Sequence, residues 1–300
     1  MTRLWRNGPL LLTLTMLCWS GSVVVGRAAA DLVPPIQFTA FRWIGALLIA
    51  APFAWPHLRA DWPALRARWG LVVVLALLGI VSYNILVYRG LHATTAVNAL
   101  LMQSVMPLAV LVANLVLFRE RTGALQTAAI VVSIAGVLTI ASAGSMETLR
   151  RLTFNPGDGL VLLAVVLYAI YSSILRGRPA VRPLSLLTAT LAVGVAVLIP
   201  MAAAERASGA AMAPGLLAWL AVLYASVFAS FVATLFYNRG VELVGATKAG
   251  QYVHLMPVFG TLLAVAVLNE TLHGYHAAGI TLIAAGLLLA NWRGRQPSAA

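Results

Sequence analysis

Apolar residues run in ten stretches along the chain, at roughly 9–29, 36–56, 70–90, 95–118, 123–142, 157–176, 183–204, 214–237, 243–268 and 274–292. A helix needs about 20 mostly apolar residues to cross the hydrocarbon core of a bilayer. The pattern therefore predicts an all-α membrane protein with ten transmembrane helices. The links are short, as antiparallel neighbours require. Many carry turn or breaker residues: Pro34-Pro35, Pro56, Pro63, Asn155-Pro156-Gly157-Asp158-Gly159, Pro179, Pro183 and Pro214. The first stretch, with Arg3 and Arg6 ahead of it and Ala28-Ala29-Ala30 behind, has the outline of a signal peptide. Its length and the nine stretches that follow predict a first transmembrane helix instead.

The second half of the pattern repeats the first. Shifting the chain by 150 positions, without a gap, lays Arg89-Gly90 on Arg239-Gly240, Met106-Pro107 on Met256-Pro257, Glu120 on Glu270 and Gly136 on Gly286. Ala96, Ala99, Ala128, Ile130, Ala135 and Leu138 also meet their own kind. Each copy reads as an apolar helix containing a proline, a turn with a glutamate and a second apolar helix. The longest central connector, 143–156, separates the copies, which predicts a first repeat over 1–146 and a second over 147–300.

Composition and charge then narrow the class. Apolar residues make up 61% of the chain and charged residues 9%, too few charges to cover a soluble surface. The net charge of +12 comes from arginines placed singly or in small groups between apolar runs. No long basic patch with interleaved aromatics exists, so nucleic acid is not the expected partner. The surrounding partner is membrane lipid, and monomer and weak homodimer both stay open. Cys18, the single cysteine, offers neither an intramolecular disulfide nor metal-ligand spacing. Counting basic residues on alternate sides puts fourteen with the N-terminus and six opposite, so both termini are expected in the cytoplasm. With five helices per half, the second copy enters the membrane from the opposite face. Inverted repeats of this kind underlie alternating access in transporters.

All eight acidic residues fall at helix ends or in loops, so no membrane-embedded carboxylate suggests a proton or cation relay. No zinc-protease, nucleophile-elbow or phosphate-loop motif is present, which argues against an enzyme and against a cofactor or metal. Glu120 and Glu270 each precede an apolar helix, where a carboxylate is stabilised by free N–H groups; a gating role is the alternative. Pro107 and Pro257, inside long apolar stretches, predict kinks or breaks of the sort that mark transporter binding sites.

Polar residues near these prolines form stripes. Thr247, Gln251 and His254 share a helical face, with Lys248 and Tyr252 beside it. Gln103 and Asn114 lie on the face of Pro107, and Asn98 is the repeat partner of Lys248. Ser226, Ser230, Thr234 and Tyr237 form another stripe, edged by Asn238. Tyr83, Asn84 and Tyr88 end the third stretch, and Tyr168, Tyr171 and Ser172 share a side of the sixth. Cys18-Trp19-Ser20 falls on Tyr168-Ala169-Ile170 at the repeat offset, which makes Trp19 a wall candidate. Any one stripe is explained by interhelical hydrogen bonding; five together predict the lining of a polar cavity. Lys248 either snorkels to the interface or attracts a carboxylate. His254 is either a buried neutral histidine or a proton-coupling group. Arg42 either pairs with Asp31 or lines an exit vestibule.

The five-plus-five arrangement, the tandem Met-Pro helices, the Glu120 and Glu270 turns and the Gly136 and Gly286 helices resemble the drug/metabolite transporter superfamily, EamA-like branch, over essentially the whole chain. Within it the chain is similar to bacterial aromatic amino acid exporters of the YddG type. The resemblance implies an inner-membrane exporter with cytoplasmic termini and a cavity between the halves that takes amino acids and related small metabolites. The tyrosines, Trp19, Met102, Met106 and Met256 would suit apolar side chains there, methionine adapting its shape readily. The chain lacks the first-helix glutamate of the four-helix multidrug relatives, so the resemblance carries no carboxylate-based proton antiport.

Overall fold

The structure, a computed structural model, describes residues 2–29, 32–91, 93–94, 102–103, 105–120, 123–150, 155–213, 215–268 and 273–291. Asp31, Asn98 and Glu270 lie outside them. Among the described residues every regular element is helical. After a short turn at Thr2–Trp5 come α1 (Gly8–Ala28), α2 (Pro35–Ala67), α3 (Trp69–Gly90), α4 (Met106–Phe118) and α5 (Ala124–Ala141). The second half holds α6 (Pro156–Ile174), α7 (Pro183–Ala207), α8 (Leu216–Val244), the interrupted α9 (246–268) and α10 (Gly274–Asn291). Five of these (α2, α3, α6 with its 3₁₀ extension, α7 and α8) are long and apolar enough to cross a membrane; α4, α5 and α10 are shorter apolar helices.

Local chemistry sets several ends. α2, α6 and α7 begin on proline, whose missing N–H costs nothing in a first turn. Asn155 and Asp158 form a capping box on α6: Asp158 N–H donates to Asn155 Oδ1 at 3.1 Å and Asn155 N–H to Asp158 Oδ2 at 2.8 Å. Arg119 closes α4 in the left-handed region, φ 57°.

α2 departs from the expected pattern. The breakers Pro56 and Pro63 do not end it; the helix runs 33 residues through Pro52, Pro56 and Pro63. At 1.5 Å per residue it is about 50 Å long, so its last turns extend past a hydrocarbon core of about 30 Å. Phe53, Trp55 and Trp62 are exposed along this section, and each proline removes one backbone hydrogen bond without breaking the helix.

The largest helix contacts are kept when each helix is exchanged for its counterpart five places on. α1 packs on α8 as α6 packs on α3; α4 packs on α6 as α9 packs on α1; α2 pairs with α7, and α5 with α10. The α2–α7 pair is capped reciprocally. Glu205, near the end of α7, accepts the N–H groups of Ile36 (3.1 Å) and Gln37 (2.8 Å) at the start of α2. Asp61, near the end of α2, accepts from Ser185 Oγ (2.6 Å) and the Arg182 N–H (3.3 Å) at the start of α7. Each carboxylate meets free N–H groups and the positive end of a helix dipole. The α5–α10 pair closes on small residues: a Cβ at Gly136 would stand 2.6 Å from the Gly279 carbonyl oxygen, and one at Gly286 2.7 Å from that of Ala129. Since 129 and 136 become 279 and 286 under the same shift, the contact is made twice about one axis.

Candidate functional site

Trp19 of α1, Tyr83 of α3, Tyr168 and Tyr171 of α6 and Tyr237 of α8 converge where the two halves meet. Tyr168 is the hub. Its ring centroid lies 4.7 Å from Tyr83, 5.0 Å from Tyr171, 5.5 Å from Tyr237 and 5.9 Å from Trp19. Trp19 and Tyr237 are 5.2 Å apart. These separations are those of favourable tilted and edge-on aromatic pairs.

The rings divide into holders and presenters. The Tyr171 hydroxyl donates to Asn238 Oδ1 at 2.6 Å, and the Tyr237 hydroxyl shares a 2.7 Å hydrogen bond with Ser172. These bonds fix α6 against α8. Trp19 Nε1 donates to the Ala229 carbonyl at 3.1 Å. By contrast, the hydroxyls of Tyr83 and Tyr168 have no hydrogen-bond partner among the described residues, and the Trp19 and Tyr83 rings are only half-buried. Together these rings make an aromatic face with two hydroxyls that no described residue engages.

Two π-helical stretches hold the site together, Leu77–Ser82 in α3 and Ala225–Val232 in α8. They coincide under the repeat shift, and such widened turns recur at functional sites. In α3, Asn84 Nδ2 donates to the Ile80 carbonyl at 2.9 Å. Gly79 leaves room for the Tyr171 ring, which a Cβ would approach to 2.7 Å. In α8 the stretch supplies the Ala229 carbonyl and Ser230.

Arg42 of α2, 6% exposed, reaches the residues that neighbour the rings in sequence: Asn84, which follows Tyr83, and Ser230, which follows the carbonyl that Trp19 uses. Its Nε donates to Ser230 Oγ at 2.7 Å, and its Nη1 to the Tyr88 hydroxyl at 2.9 Å and, more weakly, to Asn84 Oδ1 at 3.5 Å. Of the two expectations for Arg42, the Asp31 partner lies outside the described residues; the bonds that are described go to three of the expected lining residues.

The other candidates separate from this group. Thr247 is half-buried and accepts from Asn114 Nδ2 at 2.9 Å, so that polar stripe packs α4 against α9. Lys248 sits in the first turn of α9, half-buried, with no hydrogen bond or ion pair to a described residue. Tyr252 and His254 are buried in the interrupted part of α9, and Thr234 and Gln103 are buried while Met102 is half-buried. Gln251 is fully buried, and neither end of its amide has a hydrogen-bond partner among the described residues. Pro107 stands in the first turn of α4, and most of the stretch ahead of it, 95–101 and 104, lies outside the described residues. Pro257 follows the 3₁₀ turn Tyr252–His254 that interrupts α9. Glu120 is not a helix cap. Its carboxylate takes Arg176 Nη1 at 2.6 Å, and that guanidinium lies over the Phe118 ring, because the next helix starts only at Ala124 behind Gly123. Another ion cluster, Arg178 and Arg239 on Glu242 (2.7 and 2.8 Å), ties the end of α6 to the end of α8. Among the described residues no cluster of metal-ligating side chains occurs.

Comparison with known proteins agrees with this architecture. The chain is 30% identical over 284 residues to an uncharacterized transporter of Archaeoglobus fulgidus, covering 93% of this chain and 96% of that one. It is 27% identical to the uncharacterized transporter YyaM of Bacillus subtilis (73% and 72% covered). It is 25% identical to the uncharacterized inner membrane transporter YedA of Escherichia coli K12 (85% and 81%). A solved crystal structure shares the fold with a TM-score of 0.75 at 20% identity, over 95% of this chain and 96% of that one. The profile of one family matches twice, at residues 6–142 and again at 155–292. A multi-pass membrane protein matched twice over in this way belongs to the EamA-like transporter family.

Proposed function

We propose that this protein is an inner-membrane exporter of amino acids, aromatic ones among a broad set, and of related small metabolites. It works by alternating access, two inverted five-helix repeats rocking about a site between them. The observation that carries this reading is the ring cluster, to which the first half contributes Trp19 and Tyr83 and the second Tyr168, Tyr171 and Tyr237. A site shared by two halves opens to one side or the other when they rock. The export direction and the cytoplasmic termini follow the family resemblance and the arginine distribution, and the inner-membrane location follows the name that YedA carries. Cationic drugs suit the site poorly, because Arg42 already places a positive charge on residues that neighbour the rings in sequence. A phosphorylated metabolite would need several cations, and the described site holds one.

The test is flux of labelled phenylalanine, tryptophan and other amino acids in liposomes reconstituted with the purified protein, with and without a pH gradient. Protein-dependent flux competed by aromatic amino acids is expected. No protein-dependent flux for any amino acid sinks the reading.

A further inference from the structure

We infer that Arg42 is the anion subsite of the transported solute: one carboxylate docks on its free guanidinium nitrogen while the solute's apolar body lies against Tyr83 and Tyr168. This deepens the exporter reading and rests on it.

A guanidinium has five N–H donors and no acceptor. In Arg42, Nε is spent on Ser230 and Nη1 on Tyr88 and Asn84. Nη2, with two N–H groups, has no partner among the described residues. Every acceptor that Arg42 does meet is neutral. The ion pairs among the described residues join Arg176 to Glu120, and Arg178 and Arg239 to Glu242, all at helix ends. Arg42 differs from them in being buried within a long apolar helix with no acidic partner among the described residues. Buried charges in membrane proteins are paired or mark a ligand path. The hydrogen bonds come from α3 and α8, one helix of each half, and hold the guanidinium plane still while leaving one edge unspent. The two N–H groups left on Nη2 diverge, so a carboxylate takes one charge-assisted hydrogen bond from this fixed nitrogen and leaves the other N–H for a second polar group.

The charge balance sets the class of ligand. The site is +1 and no carboxylate of a described residue faces it, so a solute with one carboxylate neutralises it. An amine without the acid meets repulsion, and the free hydroxyls of Tyr83 and Tyr168 remain to bind an amino group or other polar substituent. The class is therefore small monocarboxylates with a flat or apolar body, amino acids included.

The experiment measures binding to the full-length protein in detergent by calorimetric titration with four matched probes: phenylalanine, 3-phenylpropionate, phenylalaninamide and phenylethylamine. The two acids are expected to bind at least tenfold more tightly than the amide and the amine. Arg42→Gln should erase that difference, and Arg42→Lys should restore part of it. A structural role for Arg42 would change stability without moving acid-over-amide selectivity. If Arg42→Gln does not fold, the wild-type series and Arg42→Lys still decide. Amide or amine binding as tight as acid binding overturns the inference, as does acid selectivity that survives in Arg42→Gln. Phenylalanine flux with undiminished phenylethylamine binding leaves the exporter standing and sinks the Arg42 subsite. Binding of 3-phenylpropionate without flux of any amino acid does the reverse, and no binding of either acid overturns both.

Discussion

Gln251 offers a direct probe of alternating access. Its side chain is fully buried, and neither Nε2 nor Oε1 has a hydrogen-bond partner among the described residues. Next to it Gly250 lies against α4, where a Cβ would stand 3.3 Å from Val110 and 3.7 Å from the Pro107 backbone, so this part of α9 is closely packed. An unsatisfied buried polar group costs about 1–3 kcal/mol. Gln251→Leu keeps nearly the same volume and removes both polar atoms, and should stabilise this conformation by roughly 2 kcal/mol. Alternating access requires that the amide meet water or solute in the opposite-facing state, where leucine brings no such gain. The substitution then biases the two states by a factor of about 30, since 1.4 kcal/mol is tenfold. The expected readouts are a melting temperature several degrees higher in detergent and liposome flux at least fivefold lower. A lower melting temperature together with unchanged flux would refute the reasoning.

Other substitutions separate the roles of the rings, the helix crossing and the surface charges. Tyr83→Ala should cut flux at least tenfold in a protein that still elutes as a single species, because Tyr83 presents a half-buried ring and an unpartnered hydroxyl. Tyr171→Phe should instead cost stability by about 1 kcal/mol, the worth of one hydrogen bond, through loss of its 2.6 Å bond to Asn238, with substrate selectivity unchanged. Gly136→Ala and Gly286→Ala should each destabilise by about 1–3 kcal/mol through overpacking, read by thermal unfolding, since either Cβ would push on the backbone of the facing helix. Glu120→Gln should change stability by less than about 1 kcal/mol, because both partners of its ion pair are open to solvent, at 38% and 56% exposure; a large drop in flux from this change alone would revive a gating role for that turn.

Much of the fold was legible because a membrane simplifies the code: an apolar stretch of sufficient length has few alternatives to a helix. The 150-residue shift was readable from Met-Pro and glycine landmarks; that Gly136 and Gly286 sit at the α5–α10 contact came only from the structure. The path of α2 was not readable. Proline in a helix interior costs a hydrogen bond and favours a kink rather than fixing an end, and α2 runs through Pro52, Pro56 and Pro63. The π-helical stretches carry no sequence signal either, since Leu77–Ser82 reads like any apolar turn. Among the polar stripes, spacing found residues that share a helix face but could not say what the face meets: Thr247 meets Asn114, whereas Ser230 meets Arg42. The signal for Arg42 was present, because it is the single charged residue between Ile36 and Pro56. Its nearness to a helix start made an interfacial role the simpler reading.

The central claim is that two copies of one unit face opposite sides of the membrane with the ring site between them. Gly123 and His273 are equivalent under the repeat shift, both are exposed, and each directly precedes an apolar helix. In a Cys18→Ser background, Gly123→Cys and His273→Cys can be labelled one at a time in intact cells with a thiol reagent that does not cross membranes. Inversion predicts that His273→Cys reacts from outside and that Gly123→Cys reacts only after the cells are permeabilised. Reaction of both from the same side would contradict it.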